Sequence, residues 1–192
     1  GYEPKQTRLL PMDEWIIAKF NQMQKYFIAY FEKYEIGLAM AELERFFWNF
    51  CDNYIEIAKN RLYKPEIYGE SAKASAQFAS FNVLKEMLKM FAIYLPHITE
   101  EIYQAYFRAF EKKVSIHNTE LSEISVKTPE NIIENGDAVC EIVSALRRYK
   151  SENNLSLKEE IERLTLQGYG DFIKRVEYDV KAVGNVREIV YT

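Results

Sequence analysis

Two groups of side chains in this 192-residue sequence set aromatic faces beside cations. Trp15 stands one helical turn before Lys19, and Phe46, Phe47 and Trp48 precede Lys59, Arg61 and Lys64. Aromatic faces stack on unpaired nucleobases, at about 1–3 kcal/mol per base, while Lys and Arg hold phosphates. A plainer reading stands beside this one. An aromatic stripe at helical spacing, such as Phe46, Phe50 and Tyr54, is usually the core face of a helix. Trp15 lies beside its stripe at a helix start, so both readings stay open for it. The same holds for Arg147, Arg148 and Lys150, and for Arg108, Lys112 and Lys113. Positive charge near a helix C-terminus is favoured by the dipole by about 0.3–1 kcal/mol per group, with or without a phosphate.

Nothing in the sequence argues positively for catalysis. Seven scattered glycines form no phosphate-cradling loop. His97 and His117 lie at no metal-ligand spacing with Cys51 or Cys140, so no metal is expected. Glu100 and Glu101 look like a carboxylate pair, but adjacent helix residues face different directions, and first-turn charge compensation explains them better. Hydrophobic content of 48% against 28% charged supports a packed core. Seven Gly and 5 Pro against 14 Tyr and 12 Phe favour long helices over a turn-rich β fold. The net charge of −4 is low for a non-specific nucleic-acid binder, so any RNA contact must come from local patches, shape and stacking. The two cysteines read as reduced thiols of a cytoplasmic protein, with a single disulfide as the alternative. No apolar run approaches the roughly 20 residues that span a bilayer. The start at Gly1 and the polar stretch to Leu10 suggest a segment of a longer protein.

These side chains must be positioned by helices. Asp13 is the expected N-cap of the first, with Pro11 discouraging an earlier start. Ile16, Phe20, Met23, Phe27, Tyr30 and Tyr34 form its stripe, and Gly37 marks a break. A second helix carries Ile36, Ala39, Leu43, Phe46, Phe50, Tyr54 and Ile57 and stops near Tyr63, before Pro65. A third carries Ala74, Phe78, Phe81, Leu84, Leu88, Phe91 and Leu95. Thr99 is the expected cap of a fourth, which runs to about Phe110. Residues 113–127 read as irregular. Thr128 and Pro129 are expected to open a fifth helix, with Ile132, Val139, Ile142, Val143, Leu146 and Tyr149 on one face. Residues 160–166 alternate like a strand, 171–183 fit a short helix ending at Gly184, and 187–191 fit a second strand. The expected fold is mainly α: a lead-in at 1–12, an antiparallel helical bundle at 13–128, and a small C-terminal α/β subdomain at 129–192.

Three motifs go beyond periodicity. Asp13, Trp15 and Ile16 open the first helix. Phe47 to Tyr63 contains FCDNYIEIAKNRLY. Leu95 to Ile102 reads LPHITEEI. Together they resemble the anticodon-binding region of class I aminoacyl-tRNA synthetases, and among these the valyl-tRNA synthetases. Cys51-Asp52 favours that branch over the isoleucine enzymes, whose version is Ser-Asn. Ser115-Ile116-His117 and RRYKSENNLSL at Arg147 to Leu157 fit the same pattern, so the resemblance covers nearly all the chain from Asp13 on. Tyr103, in place of a usual Trp, is a departure.

The resemblance implies a tRNA anticodon-recognition domain for tRNA(Val). Its partner would be the catalytic domain of the same protein, a ligase of protein biosynthesis. That catalytic domain would hold the HIGH and KMSKS signatures, ATP and Mg, and neither it nor the editing domain is in this sequence. No cofactor, DNA or membrane partner is implied for the chain itself. The anticodon contacts carried over by position are Glu14, Trp15, Ala18, Lys19 and Asn21; Glu35 and Ile36; and Pro96, His97 and Ile98. The family often has Arg at the position of Glu14 and Arg-Phe at Glu35-Ile36, where this chain offers an acceptor in place of a cation. The rival from another class is a helical scaffold that binds protein partners, favoured by the acidic net charge and the core reading of the aromatics.

Overall fold

The structure is a computed structural model and describes residue 5, residues 7–168 and residues 170–192. Residues 1–4 and 6 of the expected lead-in lie outside the described residues. The chain is mainly helical. Helix α1 spans Pro11–Glu32 and α2 spans Ile36–Asn49; one π-helical turn, Phe50–Ile55, carries α2 into α3 at Glu56–Tyr63. After the short α4 (Pro65–Tyr68) come α5 (Glu70–Phe91), α6 (Pro96–Tyr106) and α7 (Arg108–Glu111). An irregular stretch, broken by a 3-10 turn at Ile116–Asn118, leads to α8 (Ile132–Glu152). Strand β1 (Ile161–Leu166) is followed by α9 (Asp171–Arg175), α10 (Glu177–Gly184) and β2 (Val186–Tyr191). The two strands pair in parallel, Ile161 opposite Val186 and Leu166 opposite Tyr191. A parallel pair needs a crossover, and α9 and α10 supply it.

Helix α1 is the centre of the molecule, packing on α2, α5 and α8. Its Ile16, Phe20, Met23 and Phe27 are buried as expected, and Phe20 meets Phe46 of α2 edge-on at 5.5 Å. One continuous core joins these residues to Val139, Ile142 and Leu146 of α8 and to Val180, Val186 and Ile189 of the C-terminal part. The α5 stripe needs correction. The buried face toward α1 is Ala72, Ala76, Ala79, Val83, Met87 and Met90; Leu88 is buried as expected in a smaller core, while Leu84 and Leu95 are exposed. Small residues along that face leave room for α1 and for the buried polar groups of the interior. The larger Phe81 packs instead on Phe107 and Phe110, beside the smaller α5–α6 core.

Helix starts depart from expectation at three prolines. Pro11 and Pro96 are the first residues of α1 and α6, preceded by Leu10 and Leu95. A first-turn proline loses no hydrogen bond and is already set for helix, so it opens these helices and does not delay them. Thr99 sits inside α6, its hydroxyl bonded to the Leu95 carbonyl at 2.8 Å. Pro129 does not open α8; it accepts from the Ile132 amide at 3.1 Å, in the turn before the helix. The expected helix over 171–183 is broken at Val176, which separates α9 from α10.

Asp13 is freed from capping for a different task. It is fully buried and accepts both arms of the equally buried Arg61 guanidinium, at 2.7 and 2.9 Å. Tyr54 donates to it at 2.8 Å and the Ser75 hydroxyl also contacts it, while Ser75 accepts from the Leu10 amide at 2.8 Å. Arg61 Nε reaches Asp179 of α10 at 3.1 Å. One cation thus fastens α1, α3, α5 and α10 together. It faces two carboxylates, so the second negative charge is surplus. Burial, aided by Asp13 and opposed by Arg61, pushes Asp179 up to about 7.

A carboxyl raised above its unfolded value binds a proton sooner in the folded state. Its contribution to stability is therefore fully present below about pH 4 and is lost as pH rises through about 7. Urea midpoints of the wild type and Asp179→Asn, measured from pH 5 to 8, should diverge: the wild type falls relative to the variant as pH rises. A constant difference across that range would place the Asp179 proton elsewhere.

Candidate nucleic-acid interface

The structure divides the ten candidate residues between regions far apart along the bundle. Glu14, Trp15, Ala18, Lys19 and Asn21 lie on the first half of α1. Glu35 and Ile36 lie beyond its last turn. Fourteen residues separate Asn21 from Glu35, so at about 1.5 Å per helical residue the two sets stand roughly 20–30 Å apart.

The first set is mostly engaged in holding the protein together. Trp15 is fully buried, and its indole N–H donates to Asp137 of α8 at 3.0 Å. This corrects the base-stacking reading of Trp15 in favour of the core one. The fit depends on Gly136, where an added Cβ would lie 2.1 Å from Trp15 Cδ1. Lys19 ion-pairs with the same Asp137 and lies 5.5 Å from the Trp15 ring. Asn21 donates to the Ile124 carbonyl at 2.9 Å and accepts its amide at 3.1 Å, clasping the irregular stretch against α1. Glu14 is half-buried, and burial raises its carboxyl against the pull of Arg175. Ala18 is half-buried beside the core.

The second set converges. The α1–α2 turn and the α5–α6 turn meet where the Tyr94 hydroxyl donates to the Ile36 carbonyl at 3.0 Å. The Phe27 and Tyr94 rings, 6.4 Å apart and edge-on, support the joint from below. Glu35, Ile36, Pro96, His97 and Ile98 are all exposed here. So are Leu38, Ile93 and Leu95, apolar residues that a solvated turn does not require. Tyr34 is 89% exposed and has a φ of +62°, in the left-handed region. It was expected on the buried stripe of α1. The helix ends at Glu32, two residues earlier, and the Glu35 amide returns to the Tyr30 carbonyl at 2.9 Å, turning Tyr34 outward. Its place at the end of the periodic run, just before Glu35 and Gly37, was the available signal.

Several other groups that the sequence singles out are structural. Phe46, Phe50 and Tyr54 are buried, while Trp48 is 54% exposed on α2. Glu100 accepts from the Ser115 hydroxyl at 2.8 Å and from the Ile116 amide at 2.9 Å, which explains half of the apparent carboxylate pair. Cys51 and Cys140 are free thiols, and burial pushes Cys140 up to about 12, away from reactivity. Among the described residues no group of three or more His, Cys, Asp or Glu is placed to hold a metal. No described helix is long and apolar enough to cross a membrane.

A bundle end built from two adjoining turns, with exposed apolar side chains beside Glu35 and His97, is suited to unstacked bases. Residues 13–166 match the family described as the anticodon-binding domain of tRNA ligase. The chain belongs to that family. Its relatives include proteins named valine–tRNA ligase. It is 38% identical over 168 residues to the one from Haloarcula marismortui, covering 87% of this chain and 17% of the relative. It is 33% identical to that of Rickettsia felis, covering 97% and 22%, and 32% identical to that of Thermococcus kodakarensis, covering 94% and 20%. The chain therefore spans about a fifth of the length of these curated relatives. The family match runs through α8 and β1, across the position 128/129 where the bundle was expected to end.

Gly136→Ala tests the seat of Trp15. An alanine in place of glycine at an open helical site would gain about 1 kcal/mol. Here overpacking against a buried indole should outweigh that gain, for a net loss of about 1–3 kcal/mol in urea denaturation. A stabilised variant would show that Trp15 yields freely.

Proposed function

We propose that this chain is the tRNA-gripping part of a valine–tRNA ligase, and that it takes the anticodon loop of tRNA(Val) on the bundle end formed by residues 33–38 and 92–98. The observation that carries the reading is the joining of those two turns through Tyr94 and Ile36, which sets five of the ten family-type positions around one exposed surface. The names of the relatives and the Cys51-Asp52 pair support valine over isoleucine. The protein-scaffold alternative has no comparable support, because the family match covers most of the chain.

The chemistry follows from the groups present. Tyr34 offers a stacking face already held away from the core. Ile36, Pro96 and Ile98 offer apolar contact to base faces. Glu35 only accepts, so it selects exocyclic amino or ring N–H groups, and the two ring nitrogens of His97 offer a donor and an acceptor. A wrong anticodon leaves such groups unpaired, so selection operates by differential binding. Activation of valine with ATP and Mg, transfer to tRNA and proofreading are proposed for the remainder of a longer protein.

Fluorescence anisotropy of labelled transcripts tests this. The chain should bind tRNA(Val) more tightly than the same transcript carrying an exchanged anticodon. Tyr34→Ala should weaken binding of tRNA(Val) by about tenfold, the equivalent of one stacked base. Equal affinity for the two transcripts contradicts the reading.

A further inference from the structure

The outer edge of the small sheet faces a groove that none of the ten candidate positions line. A cleft of about 650 Å³ runs between α8 and β1. Its lining takes Arg163 and Thr165 from one face of β1 and Leu164 and Leu166 from the other, and takes nothing from β2, so it follows the edge of the strand. The opposite wall is one face of α8, with Ile142, Ala145 and Tyr149. Tyr149 closes the apolar stripe of that helix, yet it is 51% exposed. Charge is sparse here. Glu141 is exposed, and Arg163 is already paired with Glu188 at 3.1 Å. The edge itself carries backbone polar groups. The Leu166 carbonyl accepts from the Thr192 amide at 3.1 Å, so Leu166, and by alternation Leu164, turn their backbone groups toward β2. The N–H and C=O groups of Arg163 and Thr165 then point the other way. Among the described residues the sheet has two strands, so those groups meet no third one.

We infer that this groove seats an extended segment of the same polypeptide, which adds a third strand beside β1 in the longer protein. It rests on the longer protein of the proposed reading and not on the anticodon contacts. Parallel strands belong almost always to larger, covered sheets, and two strands alone are marginal. An open edge beside bare apolar side chains is a template for pairing, and proteins cover such edges. The groups on offer select the occupant. Alternate N–H and C=O groups along a strand are met together only by another extended backbone. A helix keeps its bonds to itself, and phosphates would leave the carbonyls unmet. The segment's side chains alternate, with apolar ones turned onto Ile142, Ala145 and Tyr149 and polar ones onto the face of Arg163 and Thr165. The relatives supply the length. This chain spans about a fifth of them, which leaves about four-fifths of such a protein outside residues 1–192. A tethered segment acts at high effective concentration, so a strand site fills without tight intrinsic affinity.

The test compares the full-length protein with this chain by two measurements. In the first, the photo-crosslinking residue of Tyr149→p-benzoylphenylalanine is irradiated in full-length protein mixed from isotopically light and heavy preparations. Crosslinked peptides should join position 149 to a segment outside residues 1–192, light with light and heavy with heavy. In the second, hydrogen exchange is followed at single amides. The outward amides of Arg163 and Thr165 should exchange at least about tenfold more slowly in the full-length protein than in this chain. Those of Leu164 and Leu166, directed at β2 in both, should change far less. Equal exchange of Arg163 and Thr165 in the two proteins overturns the inference. So does a crosslink that forms only between light and heavy chains, only to tRNA, or only within residues 1–192. None of these results bears on anticodon discrimination, so the two proposals fail separately.

Discussion

The Arg61 guanidinium is the constraint on which the rest of the structure depends. It lies wholly inside the protein, bonded to Asp13 of α1, Asp179 of α10 and the Ala72 carbonyl of α5. A buried cation is tolerated only when its hydrogen bonds are met, and removing one partner of such a pair costs about 3–5 kcal/mol. Each of those elements is therefore held to the position that serves α3. Helix α1 passes through the centre, so its far end, with the α1–α2 turn, is aimed by a contact near its first turn. The cluster also joins the bundle to the parallel strand pair, whose crossover helix supplies Asp179. The interior is continuous across the two parts as a result.

The fold was legible wherever one kind of interaction decided. The stripes of α1 and α2 were visible because large apolar residues recur at helical spacing and face the same core. The end of α3 before Pro65 and the strand at 161–166 followed from equally local signals. Along α5 size marks burial only in part: Leu88 is buried as expected, but Leu84 is exposed. The interior along α5 holds the Asp13 cluster and a closely packed α1, so alanines and Ser75 face inward. Asp13 was misplaced as a cap for a related reason. Its partner Arg61 lies 48 positions away, and no spacing rule connects them.

The candidate site was half legible. Motif positions at Glu35, Ile36, Pro96, His97 and Ile98 do come together, because two turns of antiparallel helices share one end of the bundle. The positions on α1 do not join them. Trp15 and Asn21 have their polar atoms bound by Asp137 and Ile124, partners in a segment more than 100 residues later. A motif records that a residue type recurs at a position. It does not distinguish a group that touches RNA from one that holds the surface in shape. Tyr34 sits at the end of a core stripe, and only the left-handed turn of the backbone shows that it leaves the interior. The division of labour is then axial, with packing and ion pairs at the start of α1 and exposed apolar and polar side chains beyond its end.

Hydrogen exchange of this chain with and without tRNA(Val), resolved by peptide, addresses the central claim most directly. Amides in 33–38 and 92–98 should slow on binding, while those of 14–21, already inside a packed helix, should keep their rates. Protection confined to 14–21, with both turns exchanging as in the free protein, would contradict the account.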